Sequence, residues 1–340
     1  MKSLNNIIHI PFTYWKLWYN VKKQKDFINK TLINDIEKIN TNNDGSFNKD
    51  DLKKITNYYG LGVPAILGTS FAILRGSNLS LKERTASTYL GAMTGLGDDF
   101  FDLKDLNEDE LKLLLNALLN DPYSVKVKRV SEKLFLHFYI KVLENSKQHE
   151  LTKQYISDVF KAQNNSLKQT SHDISYDEIK EITLNKGGVS LLLYQSIFDL
   201  SLSKEETEMI YHLGGLMQLG NDIFDIYKDT IKGIKTLVTT ETDIEHLRHT
   251  FATLMDEAFN LAYKTNYKQK NIKSFLRFIS MGICRTYVCL DMLKKLQKGN
   301  DNIFSPSKYS RKELICDMEK PKNLIKSILY YTKYDIDKKL

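Results

Sequence analysis

Apolar residues recur at three- and four-residue spacing through long stretches of this chain: Asp109 to Leu119, Val125 to Leu143, Glu205 to Ile231 and Asp243 to Tyr263. That period marks one face of an α-helix. Strand-type alternation is nearly absent, so the pattern predicts an all-α fold. Five prolines and sixteen glycines punctuate 340 residues, which leaves few places where such helices can break. Breaks are expected at Asn40 to Ser46, Gly76 to Ser80, Asn120 to Pro122, Asn164 to Ser175, Leu200 to Ser203 and Gly299 to Ser307, where Gly, Pro, Asn and Ser cluster. None is long enough to be a domain linker, and no repeat of fixed period is present. The expectation is one large helical bundle over residues 51–340, preceded by an N-terminal helical cap segment over 1–50. With 42% apolar residues the chain can bury a substantial core.

Bulk properties exclude several function classes. No run approaches the roughly 18 apolar residues of a membrane-spanning helix, and the N-terminus lacks a signal-peptide pattern, so no stable membrane insertion is expected. Cys284, Cys289 and Cys316 are few, odd in number and not spaced as a metal site, which predicts a reduced, cytoplasmic protein. The formal charge of +7 comes from lysines scattered among acids. Without a basic stripe or a recognition motif, nucleic acid is not an expected partner.

Two local features carry weaker signals. "NTNNDGSFNKDD", Asn40 to Asp51, has glycine at its sixth place and oxygen-bearing side chains at the first, third, fifth, seventh and ninth, like a calcium-binding loop. Asn rather than Asp comes first, Asp51 rather than Glu comes twelfth, and no partner loop follows, so a polar turn between helices is predicted. "IIHIPFTYWKLWYNVKKQK", Ile7 to Lys25, sets aromatics beside a basic tail. A membrane-surface helix is one reading; the favoured one packs Trp15, Trp18 and Tyr19 on the bundle as a cap.

The chemistry-bearing residues fall in two acidic clusters. In "GLGDDFFDLKDL", Asp98 and Asp99 each stand one turn from Asp102, so three carboxylates meet on one helix edge beside an apolar run. Exposed like charges at this spacing repel by a few tenths of a kcal/mol, and dehydrated ones by far more. A divalent cation would relieve the conflict, and magnesium prefers oxygen donors, typically one or two carboxylates plus substrate phosphate oxygens. In "GGLMQLGNDIFDIYKDTIKG", Asn221, Asp225 and Asp229 are spaced four and four, a line of about 12 Å along one helix face. Asp222 lies beside them, one turn from Asp225.

"DDFFD" followed by "NDIFDIYKD" resembles the pair of metal-binding motifs of the class I isoprenoid synthases, the superfamily of terpene cyclases, trans-prenyltransferases and squalene/phytoene synthases. The first is similar to their DDxxD motif in full. The second is similar to the terpene-cyclase pattern at Asn221, with Asp225 in place of the hydroxyl residue, Asp229 in place of the Glu, and Lys228 as the basic residue before it. The resemblance spans roughly residues 55–310. Weaker similarities are Tyr176 with Lys180, where those cyclases carry a diphosphate-sensing Arg, and Lys308 with Tyr309, near their C-terminal Arg-Tyr pair. "KGGVS" is a third: Gly187 and Gly188 would interrupt a helix so that carbonyls face the cavity.

This resemblance implies a bundle with a central active-site cavity and up to three Mg2+ ions held by Asp98, Asp99, Asp102, Asn221, Asp222, Asp225 and Asp229. These would clamp the diphosphate of an allylic prenyl substrate while Lys180, Lys228, Lys308 and Tyr309 assist. The carbocation left by ionisation needs a dry cavity with aromatic walls, for which Phe71, Phe100, Phe101, Phe198 and Phe224 are candidates. Gly187 and Gly188 would also line the substrate site, and the resemblance leaves room for a homodimer. Among the branches a terpene cyclase is favoured. A squalene/phytoene-type head-to-head synthase is the nearest rival, because "QLGNDIFDIYKD" fits that group's Gln-Leu, Asn, Asp, Asp spacing. Chain elongation needs a basic cluster before the first motif and an Arg pair after it; "YYGLGVPAILGTSFAILRG" offers Arg75 alone, and "LKDLNEDE" follows. A non-catalytic helical scaffold is the remaining alternative.

Overall fold

The computed structural model describes residues 4–102, 108–199, 202–334 and 336; at 4, 5, 98–102, 108–111, 113 and 114 it describes the backbone alone. The described residues are overwhelmingly helical and contain no strand, so the fold is all-α. None of their helices is long and apolar enough to cross a membrane. The chain gathers into two compact units, one formed by Phe12–Ser157 with Leu193–Leu200, the other by Met1–Pro11, Asp158–Leu192 and Ser201–Leu340.

In the first unit the helix Leu81–Asp102 packs along Val130–Asn145, and the stretch Lys54–Gly68 wraps against it. Wide π-helical turns at Lys54–Tyr59 and Val63–Gly68 curve that stretch. Tyr89, Leu90, Leu134, Phe138 and Val142 fill the interior. Polar groups that enter it are bonded: the Asp35 carboxylate accepts from the Tyr89 hydroxyl at 2.6 Å and lies 3.0 Å from His137 Nε2. The polar turn expected at Asn40 to Asp51 is present, and its oxygens are committed to the chain. Asp44 accepts from Ser46 and from the Val130 N–H at 3.0 Å, Ser46 Oγ accepts from the Ser131 N–H, and Asn48 and Asp51 form a capping box. Asp44 and Ser46 thus cap the helix Val130–Asn145 from more than eighty residues away. That helix begins five residues later than its apolar period predicts, because the N–H groups at 130 and 131 find partners there.

The second unit is built around Lys204–Phe224 packed on Ile244–Lys264, with Arg285–Lys298 against both and Pro321–Lys333 outside it. Leu213, Leu216, Leu219, Phe251, Met255 and Cys289 form its core. The predicted helix Glu205 to Ile231 bends at Asp225, where φ is −88° and ψ 7°, and resumes as Ile226–Lys232.

Gly187 and Gly188 do not interrupt their helix, which runs unbroken over Tyr176–Ser196. They let it touch the next helix. A Cβ built on Gly187 would lie 2.2 Å from the Gly214 carbonyl oxygen, and one on Gly214 equally close to the Gly187 oxygen; on Gly188 it would meet the Tyr211 ring at 2.3 Å. Alanine at 187 or 214 would gain about 1 kcal/mol of helix propensity. It would also force two backbones apart, an overpacking cost of about 1–3 kcal/mol or more. Gly187→Ala and Gly214→Ala are therefore expected to lower the melting temperature, whereas Gly282→Ala, whose Cβ meets nothing within 4 Å, should leave it unchanged or raise it. Unaltered melting of Gly214→Ala would refute the close-packing account.

Candidate functional site

The glycine contact sets the environment of the second acidic cluster. Because Tyr176–Ser196 and Lys204–Phe224 touch at Gly187 and Gly214, residues one and two turns away meet as well. Asp222, 7% exposed, accepts from Gln218 Nε2 at 2.8 Å and from the Thr183 hydroxyl at 3.3 Å. Burial is the main reason its carboxyl is pushed up to about 7; the charge of Asp229 adds to this, while Lys186 and the two hydrogen bonds oppose it. Asp229 is also buried and is pushed up to about 6, first by burial and then by Asp225, against Lys228, Lys186 and Lys232.

The cluster therefore divides differently from the straight line expected. Asn221 is exposed and its Nδ2 lies 3.4 Å from Asp225 Oδ2, while Asp222 and Asp229, seven residues apart, share the inner side. Successive helix residues diverge by about 100°, which turns Asp222 from its neighbour Asn221 toward Thr183. Thr183 and Lys186 are parts of the site that the motifs did not include, and Gln218, which entered only through the Gln-Leu spacing, bonds Asp222 directly. The signal was available only in part: Gln218 is one turn before Asp222, but Thr183 and Lys186 come from another helix.

The helix Leu81–Asp102 carries Asp98, Asp99, Phe100, Phe101 and Asp102 on its last turn, and their side chains lie outside the described residues. Phe71 and Phe198 are buried core residues, edge to face at 5.7 Å, and the Arg75 guanidinium stands 4.7 Å from the Phe198 ring centre while Nη1 pairs with Glu83 at 2.6 Å. Phe224 and Lys180 are half-buried and Lys228 is exposed. Tyr176 stacks on His246. Lys308 Nζ reaches Asn300 at 3.3 Å, and the Tyr309 hydroxyl donates to the Leu296 carbonyl at 3.0 Å. The turn Pro306–Lys308 packs against Ile226–Lys232, the helix that carries Lys228 and Asp229.

Asn221, Asp222, Asp225 and Asp229 supply only oxygen donors on the side chains that would hold a metal, the set a hard cation prefers. Asp222 and Asp229 hold their protons more tightly than ordinary aspartates, chiefly because they are buried. Among the described residues, no three His, Cys, Asp or Glu side chains converge on one point as ligands. The donor chemistry fits magnesium, then, and side-chain movement would be needed to close a coordination shell.

Compared with known proteins, the chain matches no family model, no curated protein and no solved structure.

Proposed function

We propose that the chain is a class I terpene synthase, which ionises an allylic prenyl diphosphate with magnesium and lets the carbocation cyclise. One observation carries the reading: Asp222 and Asp229 are buried beside Asp225 on one stretch of helix, and burial together with their neighbours' charge raises their protonation although Lys186, Lys228 and Lys232 oppose it. Carboxylates held so are suited to a cation and an anionic ligand. The sequence adds a second carboxylate set at Asp98, Asp99 and Asp102.

Magnesium, when bound, supplies positive charge to the diphosphate oxygens as the carbon–oxygen bond breaks. Asn221, Asp225 and Asp229 would hold it, and the resemblance of the sequence to the two-motif pattern implies the same role for Asp98, Asp99 and Asp102. Gln218 and Thr183 fix the Asp222 carboxyl, and Lys186 and Lys228 lend charge to the anionic ligand. The electron pair of the broken bond leaves with diphosphate. A double bond of the same substrate then attacks the allylic carbon, and loss of a proton or addition of water gives the neutral product. Arg75 gives Nη1 to Glu83 and stands against the Phe198 ring, and as the single basic residue in the stretch before the first motif it does not make the basic cluster that chain elongation needs.

The head-to-head synthase is a second reading, favoured by the Gln218 contact to Asp222 within "QLGNDIFD". Products decide between them. Purified protein with magnesium and geranyl, farnesyl or geranylgeranyl diphosphate, each alone, is expected to yield cyclic hydrocarbons or alcohols by gas chromatography. A product of twice the carbon number would establish head-to-head coupling instead, and a longer linear diphosphate formed only with isopentenyl diphosphate would establish elongation. Thermal melting tests for a scaffold: magnesium with inorganic diphosphate at a hundred times its dissociation constant should stabilise the protein by about 2.7 kcal/mol. A flat response would refute the proposed ligand chemistry.

A further inference from the structure

The N-terminal helix Leu4–Phe27 is turned the opposite way from a core-facing helix. Its two fully buried residues in the first unit are polar, with Leu17 and Val21 half-buried between them: Thr13 is buried, and Gln24 donates to the Gly60 carbonyl and the Thr88 hydroxyl, both at 2.9 Å. Its outward residues are aromatic. Phe12 is 61% exposed, Trp15 57%, Trp18 59% and Tyr19 47%. The expected cap against the bundle is therefore not formed. The three rings at 12, 15 and 19 instead stack on one another at 6.4 and 5.6 Å along the outer face. Successive aromatics at three- and four-residue spacing make one continuous stripe. An exposed stripe of this kind marks an interaction surface.

Charge decides what covers it. One turn beyond the rings come exposed Lys22, Lys23 and Lys25, with Asp26 as the sole nearby acid on the helix, and Lys22 Nζ stands 5.5 Å from the Trp18 ring centre. Beside them opens a pocket of about 270 Å3 lined by Lys23, Asp26, Lys30, Arg84 and the apolar Phe27, Leu79 and Leu81. Arg84 is only 3% exposed, its Nη1 donates to Gln24 Oε1 at 2.7 Å, and no carboxylate among the described residues pairs with it. The accessible wall of this pocket is almost wholly apolar, so the positive charge open to a partner is that of the exposed lysines. Protein interfaces deplete lysine at their centres. Rings of Trp and Tyr beside lysines match the headgroup layer of a bilayer, where amphipathic rings sit at the interface and basic residues meet anionic lipid.

We infer that the outer face of this helix, from Phe12 to Lys25, is a docking surface for an anionic membrane, with Lys22, Lys23 and Lys25 meeting its phosphate headgroups. The helix lies in the interface plane and does not cross it. This inference stands independently of the catalytic reading.

The chain's two tryptophans are Trp15 and Trp18, so intrinsic emission reports on this face alone. With vesicles of phosphatidylcholine mixed with phosphatidylglycerol, the full chain is expected to float in a density gradient and its emission to shift to the blue, and added salt should reverse both. Pure phosphatidylcholine vesicles should bind it far less. Each lysine lost should weaken partitioning about fivefold, so Lys22→Gln with Lys23→Gln should weaken it about thirtyfold. Trp15→Ala with Trp18→Ala should abolish flotation while circular dichroism and melting stay unchanged, because both side chains are exposed. Absence of flotation and of a spectral shift at low salt overturns the inference, as does undiminished flotation of the tryptophan variant. A dimer in ultracentrifugation that the tryptophan variant dissolves, without vesicle binding, would give the face to a second copy and equally overturn it.

Discussion

Asp222→Asn is expected to make the protein more stable at neutral and higher pH, and to flatten its stability between about pH 4 and pH 7. The folded chain holds the Asp222 proton far more tightly than an unfolded chain does, with the carboxyl pushed up to about 7 chiefly by burial. Stability from this group is fully present while both states are protonated. It is lost as pH climbs from the ordinary aspartate value through the folded value, after which the loss is constant. The full loss is of order 4 kcal/mol. Asparagine keeps the shape and the contacts: its carbonyl oxygen can accept from Gln218, and its amide can donate to the Thr183 oxygen. The variant should therefore melt higher than wild type at alkaline pH and alike near pH 4. Asp229, pushed up to about 6, contributes a second, smaller slope, and since the two carboxylates repel each other their effects should not add. Equal melting curves at alkaline pH would mean that Asp222 is better compensated than its surroundings indicate. Under the proposed function, this instability is what the fold accepts in holding carboxylates for a cation.

Local pattern was enough for the helix class and for several breaks. Gly45 and Gly76 end their segments with positive φ, 84° and 73°, a conformation glycine adopts at little cost, and both lie inside breaks predicted from composition. Interactions between distant segments were not legible. The late start of Val130–Asn145 depends on Asp44 and Ser46, and nothing near residue 125 announces that. The pair Gly187 and Gly188 suggested a broken helix, because the alternative, a close crossing, requires knowing that Gly214 and Gly215 lie opposite. The aromatic stripe misled for the same reason. Sequence periodicity shows that Phe12, Trp15 and Tyr19 share a face, while the bonds of Gln24 to Gly60 and Thr88 decide that this face looks outward. Asn221, Asp222, Asp225 and Asp229 were legible as a cluster along one stretch of helix. Its division into an outer Asn221 and Asp225 and an inner Asp222 and Asp229 follows from the helix that packs against it.

Asn221→Ala and Asp98→Ala are each expected to lower turnover by about 10^2 to 10^3, the size of effect seen when one group stabilising developing charge is removed. Neither should unfold the protein. Asn221 is exposed and its one described side-chain contact is the long 3.4 Å approach to Asp225, so its loss costs little stability. Removing Asp98 relieves repulsion among carboxylates spaced one turn apart, and apo stability should be unchanged or slightly raised. The two variants thus separate catalysis from folding in a way Asp222 cannot, since its carboxyl is buried in the packing of two helices. Product formation by gas chromatography, with melting curves taken with and without magnesium and inorganic diphosphate, reads both quantities. Wild-type melting without ligand, a blunted shift with it, and the expected loss of product would tie the two acidic motifs to one reaction. If either variant retains most of its turnover, that residue is not a metal ligand, and retention by both would remove the two-motif magnesium site on which the synthase reading depends.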